Sequence, residues 1–470
     1  MVMAEPGIVT QAPASLTWGQ MVFRLLLAAV VLTPLALGGQ RPWAWSVMAV
    51  WIGVVVLLWA AAVARGHIRV VVPMRWLSAP AIPFALMLLW AFVQTLDVMP
   101  VSWWHPLWSE AATGLGAPVS GSISLDPTMT RTALLRVVCY AAVFWLAVQL
   151  CRERARARMA LTTLAAAGIL YAVYGLVVFF SDADSILWLR KWAYHGDLTA
   201  TFVNRDAYGT YAGLGILCCL AVVVHSVRRR HRSEPRELRE VAESLLLETL
   251  PAALGGAVIG LALVLCHSRG AFVATAVATL ALLGAALEAR LIRARVAVLL
   301  CFALACVVVA VLAHSGDLTL QRLAETPDQI GTDDRSNLYR LTEQAIEDAP
   351  WLGHGFGAFL PAFRIYRDVS LPAPTTWEFA HDVFLETAMD LGLPAAGLWF
   401  LSLAIVVGRC VWGLRQRRRD RVYPVVAIAA AVLVGADGLV DFSAQIPAVA
   451  VTLALLLGMG YAQSWPTGRE

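Results

Sequence analysis

The sequence predicts an all-α, polytopic transmembrane helix bundle of about 12 spans, and three observations support this fold class. The chain has 470 residues, of which 59% are hydrophobic and only 14% charged, and its mean hydropathy is +0.70. The apolar residues fall into runs of about 18 to 25, long enough to cross ~30 Å of hydrocarbon. Arginines concentrate in alternate connections between these runs. The net charge of +4 does not indicate a nucleic-acid partner.

Each apolar run is predicted to be a span that the mature protein retains. The N-terminus lacks the basic region and the cleavage site of a secretory signal, so the first run is included. The spans lie at about 20–38, 44–64, 79–97, 132–151, 159–181, 207–226, 250–267, 271–288, 296–314, 382–409, 424–441 and 446–464. The cysteines lie within or at the ends of these runs without a CxxC pair, which argues against a disulfide framework.

The arginine-rich connections indicate how the chain is oriented. They are the connections 65–75, 152–158, 228–240, 289–295 and 415–421. The positive-inside rule places them in the cytoplasm, with both termini on the same side of the membrane. The predicted organisation is a cytoplasmic N-terminal segment (1–19), nine spans (20–314), a periplasmic loop (315–381), three spans (382–464) and a cytoplasmic tail (465–470).

The periplasmic loop 315–381 is the longest hydrophilic stretch of the chain. Its acidic residues outnumber its arginines, so it is too polar to enter lipid. The part from Arg335 to about Ala349 has the periodicity of an amphipathic helix, which Pro350 ends. The glycine-rich turn 354–359 follows and matches no nucleotide-binding pattern.

Polar residues suited to a phosphate site gather on the predicted periplasmic face. They are Asn204, Arg205, Ser268, Arg269, Arg335, Arg340, His381 and Asp441. Planar guanidinium groups bind phosphate oxygens in paired hydrogen bonds. A histidine that titrates near neutrality can take a proton from a sugar hydroxyl. We therefore expect a site for an anionic, lipid-attached substrate. No acid lies within ten residues of Arg269, which fits because a carboxylate would compete with a diphosphate.

Each of these residues also has a purely structural interpretation. Arg269 can be an arginine at a helix end whose head group extends to the membrane interface. Arg335 and Arg340 can form solvated ion pairs worth ~0–1 kcal/mol each. His381 can mark a helix start and Asp441 can cap a turn. The functional interpretation depends on all of them lying on one face. No metal or other cofactor is expected, because the sequence has no histidine pair at i, i+4.

Four strings resemble, in order, the motifs of the O-antigen ligase/polymerase superfamily of bacterial inner-membrane glycosyltransferases. They are TFVNRDAYGTYAG (201–213), HSRGAFVA (267–274), DDRSNLYRLTEQAIEDAPWLGHGFGAF (333–359) and AHDVFLETAMDLGLPAAG (380–397). The resemblance covers roughly residues 195–460. Each string alone is a loose pattern, whereas four in the family's order on one predicted face form a specific combination.

The resemblance implies a glycosyltransferase that takes a glycan from undecaprenyl pyrophosphate. An acceptor sugar hydroxyl attacks the anomeric carbon with inversion, and no metal is needed. Arg269 and Arg335 match the family's pyrophosphate-binding arginines, and His381 matches its essential histidine. Asp382 stands where the family usually has Asn and is expected to contact substrate. Three further departures are Tyr339 for Trp, Asp206 for Asn and Asp390 for Glu.

The acceptor distinguishes the branches of the superfamily. The ending LVDFSAQIPAVAVTLALLLG (439–458) resembles that of exopolysaccharide-type polymerases, which favours polymerisation of lipid-linked repeat units. The alternatives are a ligase that uses the lipid A core and an oligosaccharyltransferase that uses protein Ser or Thr. A chain-length regulator is a candidate partner of a polymerase. The competing class, a polyprenyl-linked glycan transporter, predicts charges in mid-span, and the predicted spans are nearly free of them.

Overall fold

The computed structural model describes residues 17–232, 245–325, 332–371 and 376–466, and these are mostly helical. The helices are α1 (Trp18–Leu32), α2 (Pro42–Ala64), α3 (Ser78–Val93), α4 (Leu107–Leu115), α5 (Pro127–Leu150), α6 (Arg154–Phe180), α7 (Arg205–Arg232), α8 (Leu250–Leu265), α9 (Arg269–Glu288), α10 (Ala294–Glu325), α11 (Thr332–Asp348), α12 (Phe359–Phe363), α13 (Val383–Leu391), α14 (Leu393–Gln416), α15 (Val422–Asp437) and α16 (Pro447–Gln463). One short antiparallel hairpin is present, β1 (Ser185–Ile186) with β2 (Leu189–Arg190).

Within the described ranges, seven helices are long and apolar enough to cross a membrane. They are α1, α2, α5, α6, α7, α9 and α14. Five apolar helices are shorter, namely α3, α8, the apolar part of α10, α15 and α16. Each predicted span overlaps one of these helices. The predicted helical, membrane-embedded class is therefore confirmed, whereas the number of spans stays a prediction.

Prolines and polar caps explain where several helices begin. Asp126 accepts hydrogen bonds from the Thr128 and Met129 N–H groups, and Pro127 starts α5. Prolines also lie at the first or second position of α2, α14 and α16. At these positions proline loses no helical hydrogen bond, because the first N–H groups of a helix have no partner within it.

Glycines permit the central helices to approach closely. A Cβ added to Gly168 of α6 would lie 3.1 Å from the Gly215 Cα of α7. A Cβ added to Gly458 of α16 would lie 2.6 Å from the Ala147 Cβ of α5. Small residues at helix contacts are typical of membrane bundles, where van der Waals packing holds helices together. The largest group of buried residues consequently spans α5, α6, α7, α9, α15 and α16.

Three packed helices define the two ends of the bundle. α7 and α9 run parallel, because Gly209 of α7 adjoins Ala271 of α9 and Gly213 of α7 adjoins Thr275 of α9. α15 packs against both. It runs in the opposite direction, because its last residue, Asp437, interacts with Asp206 at the start of α7, whereas Tyr423 near its first residue adjoins His225 near the end of α7. We call the end with the first residues of α7 and α9 and the last residues of α15 the site end. The opposite end is the arginine-rich end.

The segments between α10 and α14 form a cap at the site end with its own small core. This core contains Leu338, Leu341, Phe359, Phe363, Trp377 and Met389. Within the cap, the turn 353–357 contacts α13, because the His354 N–H donates to the Met389 carbonyl at 3.0 Å. The His354 ring lies 3.1 Å (Nδ1) from His105 Nε2 and 2.8 Å (Nε2) from the Ala345 carbonyl.

The structure corrects several predicted boundaries. The predicted span 382–409 is two helices, α13 and α14, because Gly392 between them has φ of 76°. The long helix therefore starts at Leu393. Beyond the predicted loop start at residue 315 the chain stays helical, since α10 continues to Glu325, and the bounds of the loop stay a prediction. The predicted helix from Arg335 to about Ala349 corresponds to α11. The expected terminal segments fall in large part on residues 1–16 and 467–470, outside the described residues.

Candidate functional site

Ser268 begins α9 at the site end. Its backbone is extended, and its hydroxyl accepts a hydrogen bond from the Ala271 N–H at 3.3 Å, which makes it the N-cap. The Ser268 hydroxyl also hydrogen-bonds the Asp206 carboxylate. The preceding residue, His267, has φ of 54°, and its Nδ1 lies 2.7 Å from Asp197 Oδ1. Two carboxylates therefore contact this turn.

The expectation that no carboxylate competes for an anion at this turn is therefore wrong. Asp197 and Asp206 are distant in sequence, but they precede and begin α7, which packs against α9. Gly209 permits this approach, because an added Cβ would lie 2.7 Å from the Ala271 Cβ and 3.4 Å from the Ser268 Cβ. No acid lies near this turn in the sequence, but the packing of α7 against α9 brings Asp197 and Asp206 next to it.

Asp197 links the turn to Arg205. Its Oδ2 lies 2.7 Å from Arg205 Nη1, and its Oδ1 faces His267. Burial alone would raise the pKa of Asp197, but the hydrogen bonds from His267 and Arg205 outweigh it and bring the pKa below its ordinary value. The Arg205 guanidinium also lies 5.6 Å from the centre of the Tyr194 ring. Arg205 thus has partners within the protein.

Asn204 caps the start of α7. Its Oδ1 accepts hydrogen bonds from the Asp206 N–H at 2.6 Å and the Ala207 N–H at 3.1 Å. Its Nδ2 donates to the Tyr194 hydroxyl at 3.1 Å. The side chain is buried. A structural function therefore accounts for Asn204, and contact with substrate stays a prediction.

His381 lies at the centre of the site end. Its Nδ1 is 3.4 Å from Asp441 Oδ1, and both side chains are largely buried. Asp441 Oδ2 also accepts a hydrogen bond from the Ser443 hydroxyl. The His381 ring packs edge-on against Phe442 at 5.0 Å, and its backbone carbonyl accepts a hydrogen bond from the Tyr339 hydroxyl at 3.0 Å. The φ of 53° at His381 lies in the left-handed region, which for a non-glycine residue requires support from such contacts.

Arg335 approaches the same group from the cap. It lies one helical turn before Tyr339 on α11, so both residues share a face of that helix. Arg335 interacts electrostatically with Tyr339, with Tyr194 and with the Asp206 carboxylate. The structure therefore brings a guanidinium of the cap next to the start of α7 and beside the His381 loop.

Arg269 is exposed at the first residue of α9. Its neighbour Gly270 faces the turn after α15, where an added Cβ would lie 3.1 Å from Val440 Cγ2. Val440 directly precedes Asp441. Arg269 thus lies at the site end, beside the turn that carries the carboxylate partner of His381.

Two other predicted substrate contacts have local partners. Arg340 Nη2 lies 3.1 Å from Asp368 Oδ2 in an exposed ion pair. Arg340 follows Arg335 by five positions on α11, so the two side chains leave the helix in different directions. Asp382 caps α13, because its Oδ1 accepts from the Phe384 N–H at 2.8 Å and the Leu385 N–H at 2.9 Å. The structural interpretation is sufficient for both.

Asp437 is a buried acid that the sequence candidates omit. It ends α15 with no exposed side-chain surface. It interacts electrostatically with Asp441 and Asp206, and the hydroxyls of Thr210 and Ser443 lie next to it. Three carboxylates thus meet at the site end. Its place in the sequence, four residues before Asp441 and at the end of an apolar run, is the feature from which it could have been identified as a site candidate.

Glu386 links the segment before His381 to the turn between α15 and α16. Its Oε2 accepts from the Ala380 N–H at 2.8 Å, and its Oε1 accepts from Gln445 Nε2 at 2.8 Å. Burial raises the pKa of Glu386 to about 7. Asp390 lies one turn further on, and burial together with the Glu386 carboxylate raises its pKa. Asp390 Oδ2 accepts from the Gly357 N–H at 2.6 Å. These acids position backbone around the site.

A comparison with protein families finds a matching family model for part of the chain. Residues 254–400 match a family model described as O-antigen ligase. The match includes Ser268, Arg269, Arg335 and His381, whereas Asn204, Arg205 and Asp441 lie outside it. No curated protein matches the chain. This match supports a relation of residues 254–400 to the O-antigen ligase/polymerase superfamily, and with it a glycosyltransferase-type enzyme in a membrane.

Proposed function

We propose that this chain transfers a glycan from undecaprenyl pyrophosphate to an acceptor sugar hydroxyl on the periplasmic face of the bacterial inner membrane. The observation that carries the proposal is His381 beside Asp441 at the end of the bundle that also holds Arg269 and Arg335. This arrangement places a potential general base, His381, at the same end as guanidinium groups that could bind a diphosphate. The proposed glycan transfer requires both.

The base in this proposal is His381. A carboxylate facing Nδ1 favours the tautomer with the proton on that nitrogen and leaves Nε2 as the acceptor. Nε2 takes the proton of the acceptor hydroxyl as its oxygen forms a bond to the anomeric carbon. The bond from that carbon to the pyrophosphate oxygen breaks on the opposite side, and the configuration therefore inverts.

The leaving group in this proposal is polyprenyl pyrophosphate. Its negative charge grows as the glycosidic bond breaks, and fixed guanidinium groups stabilise this charge more in the transition state than in the ground state. Arg269 at the start of α9 adds the partial positive charge of a helix N-terminus. Asp206 interacts electrostatically with Arg205 and Arg335, so the site is not uniformly positive.

Substitution of the three proposed catalytic residues tests this chemistry. We expect Arg269→Ala, Arg335→Ala and His381→Ala each to reduce glycan transfer at least ~100-fold, the scale of a lost acid–base or oxyanion contact. The measurement is polymer formation in a deletion strain, normalised to protein in the membrane. Arg364→Ala is the matched control, because Arg364 is an exposed arginine of the same cap. Full activity of any of the three variants would contradict the assigned function of that residue.

The acceptor is proposed to be a second lipid-linked repeat unit, so that the reaction is polymerisation. The ending LVDFSAQIP favours it over transfer of finished polymer to the lipid A core or to protein Ser or Thr. Deletion of the gene followed by gel analysis of surface glycans distinguishes these reactions. Lipid with one repeat and no ladder indicates a polymerase. Polymer left on its carrier with bare lipid A core indicates a ligase, and intact glycans with unmodified protein indicate an oligosaccharyltransferase.

A transporter is the alternative of another class. A transporter predicts charges in mid-span, whereas in α7, α9 and α15 the charged residues Asp206, Arg269 and Asp437 lie at helix ends. Accumulation of lipid-linked repeats on the cytoplasmic face of a deletion strain would favour transport, because a transferase acts after the lipid has crossed the membrane.

A further inference from the structure

Tyr194 lies at the site end in the segment between β2 and α7, and the proposed chemistry does not use it. Its φ of 56° lies in the left-handed region, which a bulky residue rarely adopts without support from its surroundings. The Asp197 N–H donates to the Tyr194 carbonyl at 3.2 Å, and the Leu198 N–H donates to the Leu265 carbonyl at 3.1 Å. The segment is thereby fixed against the end of α8, directly before the turn that begins α9.

The Tyr194 side chain lies among the charged groups of the site. It is half-buried, and the Arg205 guanidinium lies 5.6 Å from the centre of its ring. The charged residues with which its phenol interacts electrostatically are Asp206, Asp441, Arg205 and Arg335. These residues belong to the start of α7, the turn after α15 and the cap helix α11. The phenol therefore lies where the three parts of the site meet.

The Tyr194 hydroxyl has a hydrogen to donate. A phenol can accept one hydrogen bond and donate another, and here Asn204 Nδ2 donates to its oxygen at 3.1 Å. In the described part of the chain, this is the hydrogen bond that the hydroxyl makes. Burial, together with the Asp206 and Asp441 carboxylates, raises the pKa of Tyr194 to about 12. The phenol thus keeps its proton at physiological pH and is a neutral donor.

We propose that the Tyr194 hydroxyl donates a hydrogen bond to a phosphate oxygen of the pyrophosphate leaving group, next to Arg335. This contact rests on the proposed function, because it requires a pyrophosphate at the site end. A hydrogen bond to a charged acceptor is about twice as strong as one between neutral groups, and it strengthens as the leaving group gains charge. The phenol keeps its proton throughout, so proton transfer stays with His381.

A neutral donor suits this position. Asp206 interacts electrostatically with both Arg205 and Arg335, so part of their positive charge is balanced within the protein. A phenol has no charge for a carboxylate to balance, and its O–H adds a directed hydrogen bond without attracting a further acid. Tyr194 and Arg335 therefore offer a phosphate oxygen two different kinds of contact.

The test removes one oxygen atom from the full chain. Tyr194→Phe eliminates the hydroxyl and keeps the ring that faces Arg205. Tyr174→Phe is the matched control, because the Tyr174 hydroxyl also accepts a hydrogen bond, from the Leu187 N–H at 2.6 Å in the preceding hairpin. Native mass spectrometry of the proteins in detergent measures binding of undecaprenyl pyrophosphate and of undecaprenol, which lacks the pyrophosphate. Polymer formation in a deletion strain and unfolding temperature are measured for the same variants.

We expect Tyr194→Phe to bind undecaprenyl pyrophosphate roughly tenfold more weakly than the wild type, the scale of one lost hydrogen bond to a charged group. Its polymer formation should fall about 10- to 100-fold, because the contact strengthens in the transition state. Binding of undecaprenol should be unchanged. Tyr174→Phe should match the wild type in both kinds of binding and in polymer formation, with an unfolding temperature similar to that of Tyr194→Phe.

Three results would overturn the contact while the proposed function stands. They are wild-type binding and polymer formation in Tyr194→Phe, an equal loss in Tyr174→Phe, and an equal loss of undecaprenol binding. The second and third would assign the effect to the fold of the segment and not to the pyrophosphate. A wild-type protein that neither binds undecaprenyl pyrophosphate nor forms polymer would contradict the proposed function itself, and the Tyr194 contact with it.

Discussion

Asp382, the neighbour of the proposed catalytic histidine, illustrates how one contact can explain a departure from a family pattern. Its Oδ1 caps α13 through two backbone N–H groups. The asparagine found there in the family has the same acceptor oxygen, and Asn and Asp are equally good N-caps. The cap places the start of α13 directly after His381. The substitution therefore preserves the geometry that the histidine needs.

This contact predicts different results for two substitutions of Asp382. Asp382→Asn should retain both stability and glycan transfer, because the capping oxygen remains. Asp382→Ala should lower the free energy of unfolding by about 1 kcal/mol through loss of the cap. Thermal unfolding in detergent and polymer formation in a deletion strain measure the two effects. Loss of transfer in the Asn variant at unchanged stability would show instead that the carboxylate itself contacts substrate.

At the residue scale, sequence reasoning identified side chains but not their partners. The types and order of Arg269, Arg335 and His381 in the family strings predict them as site residues, and the structure places all three at one end of the bundle. The Asp206 contact of Ser268 and the Asp197 contact of His267 could not be foreseen. They depend on how closely α7 approaches α9, which glycine positions permit but do not specify.

At the element scale, the glycine-rich turn 353–357 has a packing function. Gly353, Gly355 and Gly357 all have positive φ, which glycine adopts at little cost. A Cβ added to Gly353 would lie 2.5 Å from the Gly392 N, and one added to Gly355 would lie 2.7 Å from the Ser124 Cβ. The turn therefore fits between the connection before α5 and the α13–α14 junction, where no side chain has space.

Substitution of one of these glycines tests this interpretation. Gly355→Ala should lower stability by roughly 2 to 4 kcal/mol, because strain at a φ of 115° adds to a steric clash. Gly284→Ala in α9 is the control, since no atom lies within 4 Å of the added Cβ, and alanine favours helix. Unfolding temperature in detergent measures both. An unchanged unfolding temperature for Gly355→Ala would contradict the packing function.

Periodicity and length predicted the long helices well but not the irregular elements. Apolar runs located the helices because burial in lipid requires continuous apolar surface. The break at Gly392 was missed because both flanking stretches are apolar and helical. The hairpin of β1 and β2 and the helix α4 were missed because each is too short to produce a clear pattern.

At the scale of the whole molecule, orientation depends on arginine placement alone. The positive-inside rule predicts that the site end lies in the periplasm. An alkaline phosphatase fused after residue 330 should be active, and one fused after residue 292 should be inactive, because this enzyme folds only in the periplasm. The reverse pattern would overturn the orientation and with it the proposed periplasmic reaction.

The paired rings of His105 and His354 join the segment between α3 and α5 to the cap. Their hydrogen bonds specify one arrangement of protons. His354 Nε2 must donate to the Ala345 carbonyl, so its Nδ1 accepts from His105 Nε2. The remaining nitrogen of His105 then accepts from the Leu107 N–H. Both rings are neutral and fully bonded. An additional proton on His354 Nδ1 would face the N–H of His105. One on His105 Nδ1 would break the hydrogen bond from the Leu107 N–H.

Acidification should therefore loosen the cap from the rest of the molecule. Burial and the His354 ring lower the pKa of His105 from 6.5 to about 4, and burial also lowers the pKa of His354. Between these values the unfolded chain binds protons that the folded chain does not, so stability falls as the pH falls from 6.5 towards 4. Protonation of His105 should lower the free energy of unfolding by on the order of 3 kcal/mol. Unfolding temperatures from pH 7.5 to 4.5 should decline less steeply for His105→Gln, and equal slopes would show that the pair is not the acid-sensitive contact.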